Sequence, residues 1–199
     1  PGFWLGQSWL TAWHTLAGVG IALVAGVLVG ALLAAVRPVE WAVQPVLVLV
    51  MVTPWVAYIT SVVNWVGTGT PAIVFMVTFV SFPPMVFAAV QGLRSADMAT
   101  RELLASVDAG RAEVFWRLSL PSATPSLFTG VRFATGLGLA AAYFSEGGAS
   151  AADVGLGEAG RRAVSGQNNY PILWGSIVCA AALGVLFLVA VVTLERRLL

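Results

Sequence analysis

The sequence predicts an all-helical integral membrane protein with about five transmembrane helices, and three observations carry that prediction. Of its 199 residues, 59% are hydrophobic and only 10% are charged, against about 45–50% and about 25% in an average soluble domain. The apolar residues come in runs long enough to cross a bilayer, which takes about 20 of them. The charges gather between the runs instead of within them. A single transmembrane domain over residues 1–199 is expected, with no separate soluble unit.

The first span is placed at residues 17–36, which carry no charge, with apolar character reaching back toward Trp9. The second and third share the uncharged stretch 41–93, divided by the turn cluster Gly67-Thr68-Gly69-Thr70-Pro71. A fourth runs from about 121 to 144 with only Arg132 inside, and a fifth over the uncharged residues 172–194. The opening residues Pro1-Gly2-Phe3-Trp4 have no basic region and are not read as a signal peptide. Cys179 stands alone within the last run, so no intrachain disulfide or cysteine metal cluster is available.

Residues 94–117 carry four arginines, and the positive-inside tendency puts so short a loop in the cytoplasm. Alternation then places the N-terminus outside, Arg37 and Glu40 inside, and the C-terminal Arg196 and Arg197 inside. Arg161 and Arg162 fall in the outer segment, where Asp153 and Glu158 are expected to offset them. Tryptophans 4, 9, 13, 41, 65 and 174 cluster near span ends as interfacial anchors. His14 is placed at the outer interface with no special role.

Small residues recur every four positions in two spans: Gly18, Ala22, Gly26, Gly30 and Ala34 in the first, and Gly130, Ala134, Gly138 and Ala142 in the fourth. Such stripes let helix backbones approach closely. Pro45, Pro54, Pro83 and Pro84 each remove a backbone donor within the second and third spans and are expected to kink them.

Mid-bilayer ionisable residues, which mark ion-coupled carriers, are nearly absent. So are a metal-ligand set, a serine and histidine constellation, and a phosphate-cradling glycine loop. The chain is therefore not expected to be an enzyme or to hold a cofactor or metal, and its energy source must lie on another molecule. An ion-coupled carrier or channel is the rival reading.

Residues 95–107 read as a short helix, with Ser95 as its cap and Asp97 in the first turn. Asp108-Ala109-Gly110 interrupts it, and a second short helix, 111–118, precedes Leu120-Pro121 at the head of the fourth span. Its apolar side is expected to hold this protrusion to the bundle, and its charges, Arg111, Glu113 and Arg117 among them, to meet a partner.

This segment resembles the signature of bacterial ABC importer permeases: Glu-Ala-Ala, three residues, Gly, nine residues, Ile, one residue, Leu-Pro. Here Glu102-Leu103-Leu104 stands at the triplet, Asp108 at the glycine, Leu118 at the isoleucine and Leu120-Pro121 at the final pair. Leucines replace the alanines and an aspartate the glycine, with Gly110 two residues on as a source of backbone freedom. Thr53-Pro54, Trp65-Val66-Gly67-Thr68-Gly69, Phe82-Pro83, Gly130-Val131-Arg132-Phe133-Ala134 and Glu146-Gly147-Gly148 extend the resemblance, which is most similar to the sulfonate, taurine and nitrate branch.

The resemblance implies a type I importer permease fold and a chain that forms the path for a small solute. It implies two ATP-binding cassette subunits holding ATP and Mg, a second permease chain, identical or paralogous, and an extracytoplasmic binding protein, in a bacterial inner membrane. Glu102, Leu103, Leu104, Asp108, Ala109, Gly110, Arg111, Leu118, Leu120 and Pro121 would then couple to the ATPase. Pro54, Tyr58, Thr60 and Asn64 are the candidates for the pathway, and Glu146 for the outer mouth.

Overall fold

The computed structural model describes residues 2–149, 155–165 and 169–198. Four helices are long and apolar enough to cross a membrane, and a bent pair supplies a fifth crossing. The first, α1 (Gly2–Ala35), begins 15 residues earlier than expected, because the polar Gln7, Thr11, His14 and Thr15 fall within the helix. The second crossing is broken into α2 (Arg37–Val52), a 3-10 turn (Trp55–Tyr58) and α3 (Ile59–Val66), whose halves meet at 89°. Pro54 sits at that break and cannot donate to the carbonyl four residues back. The other prolines break nothing: Pro45 lies inside α2, and Pro83 and Pro84 inside the unbroken α4 (Thr70–Arg94).

The turn before α4 is where the sequence put it, and Gly67 and Gly69 supply the left-handed φ of 98° and 83° that it requires. Beyond α4 come α5 (Met98–Ser106) and α6 (Arg111–Val114). A π-helical turn (Phe115–Ser119) then leads directly into α7 (Leu120–Gly148). The expected separate helix 111–118 is therefore the leading end of the fourth span. Pro121 has no N–H to give to Arg117, and the wider register of the turn falls on the residues just before it. On the other side, α8 (Leu156–Ser165) packs on α7 and α9, and α9 (Tyr170–Leu198) forms the last crossing.

Helix α4 is the centre of the bundle, with α1 on one side and α7 on the other. Both small-residue stripes meet it. A Cβ built on Gly26 would lie 2.6 Å from Met85 Cβ, and one on Gly30 2.5 Å from Ala89 Cβ. From the other side, a Cβ on Gly130 would lie 2.5 Å from Ala88 Cβ. Gly130→Val is expected to lower stability by about 1–3 kcal/mol through overpacking. Gly20→Ala, which enters open space, should leave it unchanged or slightly higher. Thermal unfolding in detergent separates the two.

Candidate functional site: the segment between α4 and α7

Ser95 closes α4 and does not open α5: its hydroxyl donates to the Gly92 carbonyl at 2.8 Å and reaches the Ser122 carbonyl at 3.2 Å. The cap of α5 is Asp97, whose carboxylate accepts the Thr100 N–H at 2.9 Å and the Thr100 hydroxyl at 2.8 Å. Those bonds, the backbone one first, favour the charged form and hold the Asp97 carboxyl below its ordinary range.

The helix ends in a left-handed residue. Asp108 has φ 53°, the single positive φ outside glycine among the described residues, and the Ala109 N–H returns to the Leu104 carbonyl at 3.0 Å. That is the six-to-one bond of a Schellman cap, with Asp108 at the position usually held by glycine. Aspartate is one of the few residues with a side chain that tolerate this conformation. The expected compensation by Gly110 is not used: its φ is not positive, and its carbonyl instead accepts the Val114 N–H at 3.0 Å, opening α6.

The expected apolar contact with the bundle is made by part of this segment, with Val114 and Phe115 half-buried, and not by all of it. Met98, Leu103 and Val107 are 65–69% exposed, and Trp116 is 66% exposed. They share the open side of α5 and its end with the exposed Glu102 and Asp108. Leu118 is buried, Leu104, Ala109 and Leu120 are half-buried, and Pro121 is exposed at the head of α7. The side chain of Arg111 lies outside the described residues.

Residues 22–199 match the family described as binding-protein-dependent transport system inner membrane component. The chain belongs to that family. It is a permease subunit of an ABC importer, a multi-pass inner-membrane protein, and not the ATP-hydrolysing enzyme. It is 31% identical over 182 residues to the formylaminopyrimidine transport permease of Halalkalibacterium halodurans, covering 92% of this chain and 72% of that one. With the taurine transport permease of Escherichia coli the identity is 30% over 136 residues, 64% of this chain and 50% of the relative. In fold it is similar to the methionine ABC transporter MetNI in an inward-facing conformation, with a TM-score of 0.88 at 17% identity over 98% of this chain and 96% of that one.

Of the permease's pathway candidates, Pro54 forms the elbow of the second crossing, and Tyr58, Thr60 and Asn64 are exposed. Ile59 and Val62 of the same short helix turn inward and are buried. Within the elbow lies a cavity of about 170 Å³ walled by Met51, Trp55, Phe79, Pro83, Phe133 and Leu137. A second, of about 340 Å³, shares Met51 and Phe133 with it and adds the polar Gln91, Ser126 and Thr129.

Glu146 is not at an open mouth: it is completely buried. The Thr11 hydroxyl donates to Oε2 at 2.8 Å, the Gly157 N–H donates to Oε2 at 3.0 Å, and Nδ1 of His14 donates to Oε1 at 2.9 Å. Nε2 of His14 lies 3.2 Å from the Thr70 hydroxyl, and Thr11 accepts the Leu156 N–H at 2.9 Å. His14, expected at an interface, is 1% exposed. Burying a carboxylate demands these partners, and they reach Glu146 of α7 from α1 and α8, with Thr70 of α4 behind His14. One helical turn separates Thr11 from His14 and so puts them on one face of α1. Their pairing with a carboxylate 132 residues on leaves no mark in either segment.

Glu158 answers both outer arginines, as expected, at 2.5–2.7 Å; Asp153 lies outside the described residues. Burial pushes the Glu158 carboxyl up, but the bonds and charges of Arg161 and Arg162 outweigh it and leave it lowered. The contribution of this pair of bridges is expected in full above the ordinary glutamate value, fading as pH falls through the lowered one. Amide exchange across α8 at a series of acidic pH values would report it.

Proposed function

We propose that the permease works as one of a pair of permease chains, identical or paralogous, with two ATP-binding subunits below it and an extracytoplasmic binding protein above. ATP and its magnesium are held on the ATP-binding subunits, and this chain holds no cofactor. The positive-inside tendency supports a cytoplasmic face for the end that carries Arg37, Arg94, Arg101, Arg117, Arg196 and Arg197. The N-terminus is then outside and the C-terminus inside.

The observation that carries this reading is the form of the segment between α4 and α7. A short helix stands off the bundle with Leu103 and Val107 in the open and turns sharply at the left-handed Asp108. It then continues through α6 into α7 without a break. Exposed apolar side chains on a rigid protrusion mark a docking surface, and continuity with a span makes it a lever. Closure of the ATP-binding pair would move α5 and α6, swing α4 and α7 and open the outer mouth; hydrolysis would reset them.

The pathway runs along the elbow of the second crossing, past Tyr58, Thr60 and Asn64, on the face turned to the other permease. Its cargo is a small solute chosen by the binding protein, in keeping with relatives named for formylaminopyrimidine, taurine and riboflavin transport. Purification from the host in mild detergent, reconstitution and a transport assay test the proposal. Solute uptake that requires an ATP-binding subunit and ATP supports it. Uptake without either would favour the ion-coupled carrier.

A further inference from the structure

At the end of the bundle that carries the protrusion, a cavity of about 630 Å³ opens between the C-terminal ends of α1 and α4 and the head of α5. One wall is apolar: Ala31, Ala34, Leu93 and Phe115. The other holds three guanidinium groups, those of Arg37, Arg94 and Arg101. Glu40 is the one carboxylate paired there; it binds Arg94 through both oxygens, at 2.9 and 2.6 Å. Arg94 also donates to the Leu33 and Ala34 carbonyls at 3.3 and 3.4 Å, capping the C-terminus of α1. Arg37 and Arg101 have no carboxylate partner among the described residues. They leave two uncompensated positive charges at the rim of a partly apolar cavity.

We propose that this cavity binds the phosphate of an anionic phospholipid headgroup. It lies where two spans end, at Ala35 and Arg94, which is the depth at which lipid phosphates sit above the hydrocarbon. Guanidinium forks suit phosphate oxygens, and basic pockets between spans are known to hold acidic headgroups. A free inorganic anion would use only the arginines. A lipid uses the alanine, leucine and phenylalanine wall as well, for its glycerol and first acyl carbons.

Because Arg101 belongs to α5 and Arg37 begins α2, one bound phosphate bridges the protruding helix to the bundle. Lipid charge would then set how firmly α5 is held. That consequence rests on the coupling role proposed above; the binding itself does not.

The test uses the permease assembled with its partner subunits, in nanodiscs of phosphatidylcholine with or without phosphatidylglycerol. Native mass spectrometry counts the lipids retained. The expected result is preferential retention of phosphatidylglycerol, weakened about tenfold or more in the Arg37→Gln, Arg101→Gln double variant, at about 1 kcal/mol per basic residue. Arg196→Gln, Arg197→Gln removes the same charge from the same end of the molecule, on α9, and should leave retention unchanged.

Equal retention of the two lipids, or an unchanged double variant, overturns the proposal. Displacement of the lipid by inorganic phosphate as readily as by short-chain phosphatidylglycerol would mark a free-anion site and overturn it too. Loss of a partner subunit from the double variant, with lipid retention intact, would assign the arginines to a protein contact instead. Failure of the ATPase reading shows separately, as transport without ATP.

Discussion

Replacing Asp108-Ala109-Gly110 by three helix-forming residues such as leucine or alanine is expected to abolish the stimulation of ATP hydrolysis by solute-loaded binding protein. The stop at this point depends on one residue in the left-handed region, with φ 53°, and on the return of the Ala109 N–H to the Leu104 carbonyl. A leucine at 108 would pay about 1–2 kcal/mol to hold that conformation. The cheaper outcome is for α5 to run on toward α6 as one helix, pointing Leu103 and Val107 in a new direction. Basal hydrolysis by the ATP-binding subunits should persist, while stimulation falls more than tenfold.

Asp108→Gly is the informative companion, since glycine enters the same conformation at no steric cost. Stimulation should be kept. Comparing stimulated with basal hydrolysis in reconstituted assemblies decides the matter, and a fully coupled triple variant would refute the lever.

The second large effect is expected at the opposite end. Glu146→Ala should cost about 3–5 kcal/mol, because it strips a buried hydrogen-bond network of its centre and each partner left unsatisfied costs about 1–3 kcal/mol. Left behind would be a buried Gly157 N–H and a His14 ring deprived of their acceptor, and a Thr11 hydroxyl with only its longer bond to the Gln7 carbonyl at 3.2 Å. A Cβ on Gly157 would run into the Tyr143 carbonyl oxygen, so α8 has no room to slide in and fill the gap. It should detach, seen as a fall in melting temperature with rapid amide exchange confined to residues 155–165. Glu146→Gln keeps the shape and most acceptors and should cost about 1–2 kcal/mol. Equal melting temperatures for the wild type and Glu146→Ala would show that the cluster does not hold α8.

How far the sequence discloses this molecule depends on the range of each interaction. Periodic features are local and were legible: the charge-free runs, the small stripes of 18–34 and 130–142, and the Gly67 to Pro71 turn all rest on residues within a few positions of each other. Proline was legible only in part. Pro54 breaks a crossing while Pro83 and Pro84, buried at the centre of the bundle, and the exposed Pro45 do not, so neither the residue type nor its exposure decides where a helix breaks.

Ser95 and Asp97 are both good caps in sequence, and only the end of α4, which takes Ser95, leaves Asp97 to open α5. The segment of 102–121 is legible in its spacing, but which of its apolar residues stay in the open is not: Leu118 is buried while Leu103, Val107 and Trp116 are exposed. The polar cluster around Glu146 was hidden outright. Thr11 and His14 precede the charge-free run of 17–36, and an acid at a helix end gives no hint of being enclosed.

Near the protrusion, Ser95 reaches the Ser122 carbonyl, and a Cβ on Gly92 would lie 2.9 Å from Ala123 Cα, so the lower ends of α4 and α7 are effectively riveted together. Under the lever action proposed above, a push delivered through α6 would not shear one of these spans past the other. It would tilt them together, and the elbow at 53–54, where the backbone ladder is already open, is where the bundle would bend at least cost.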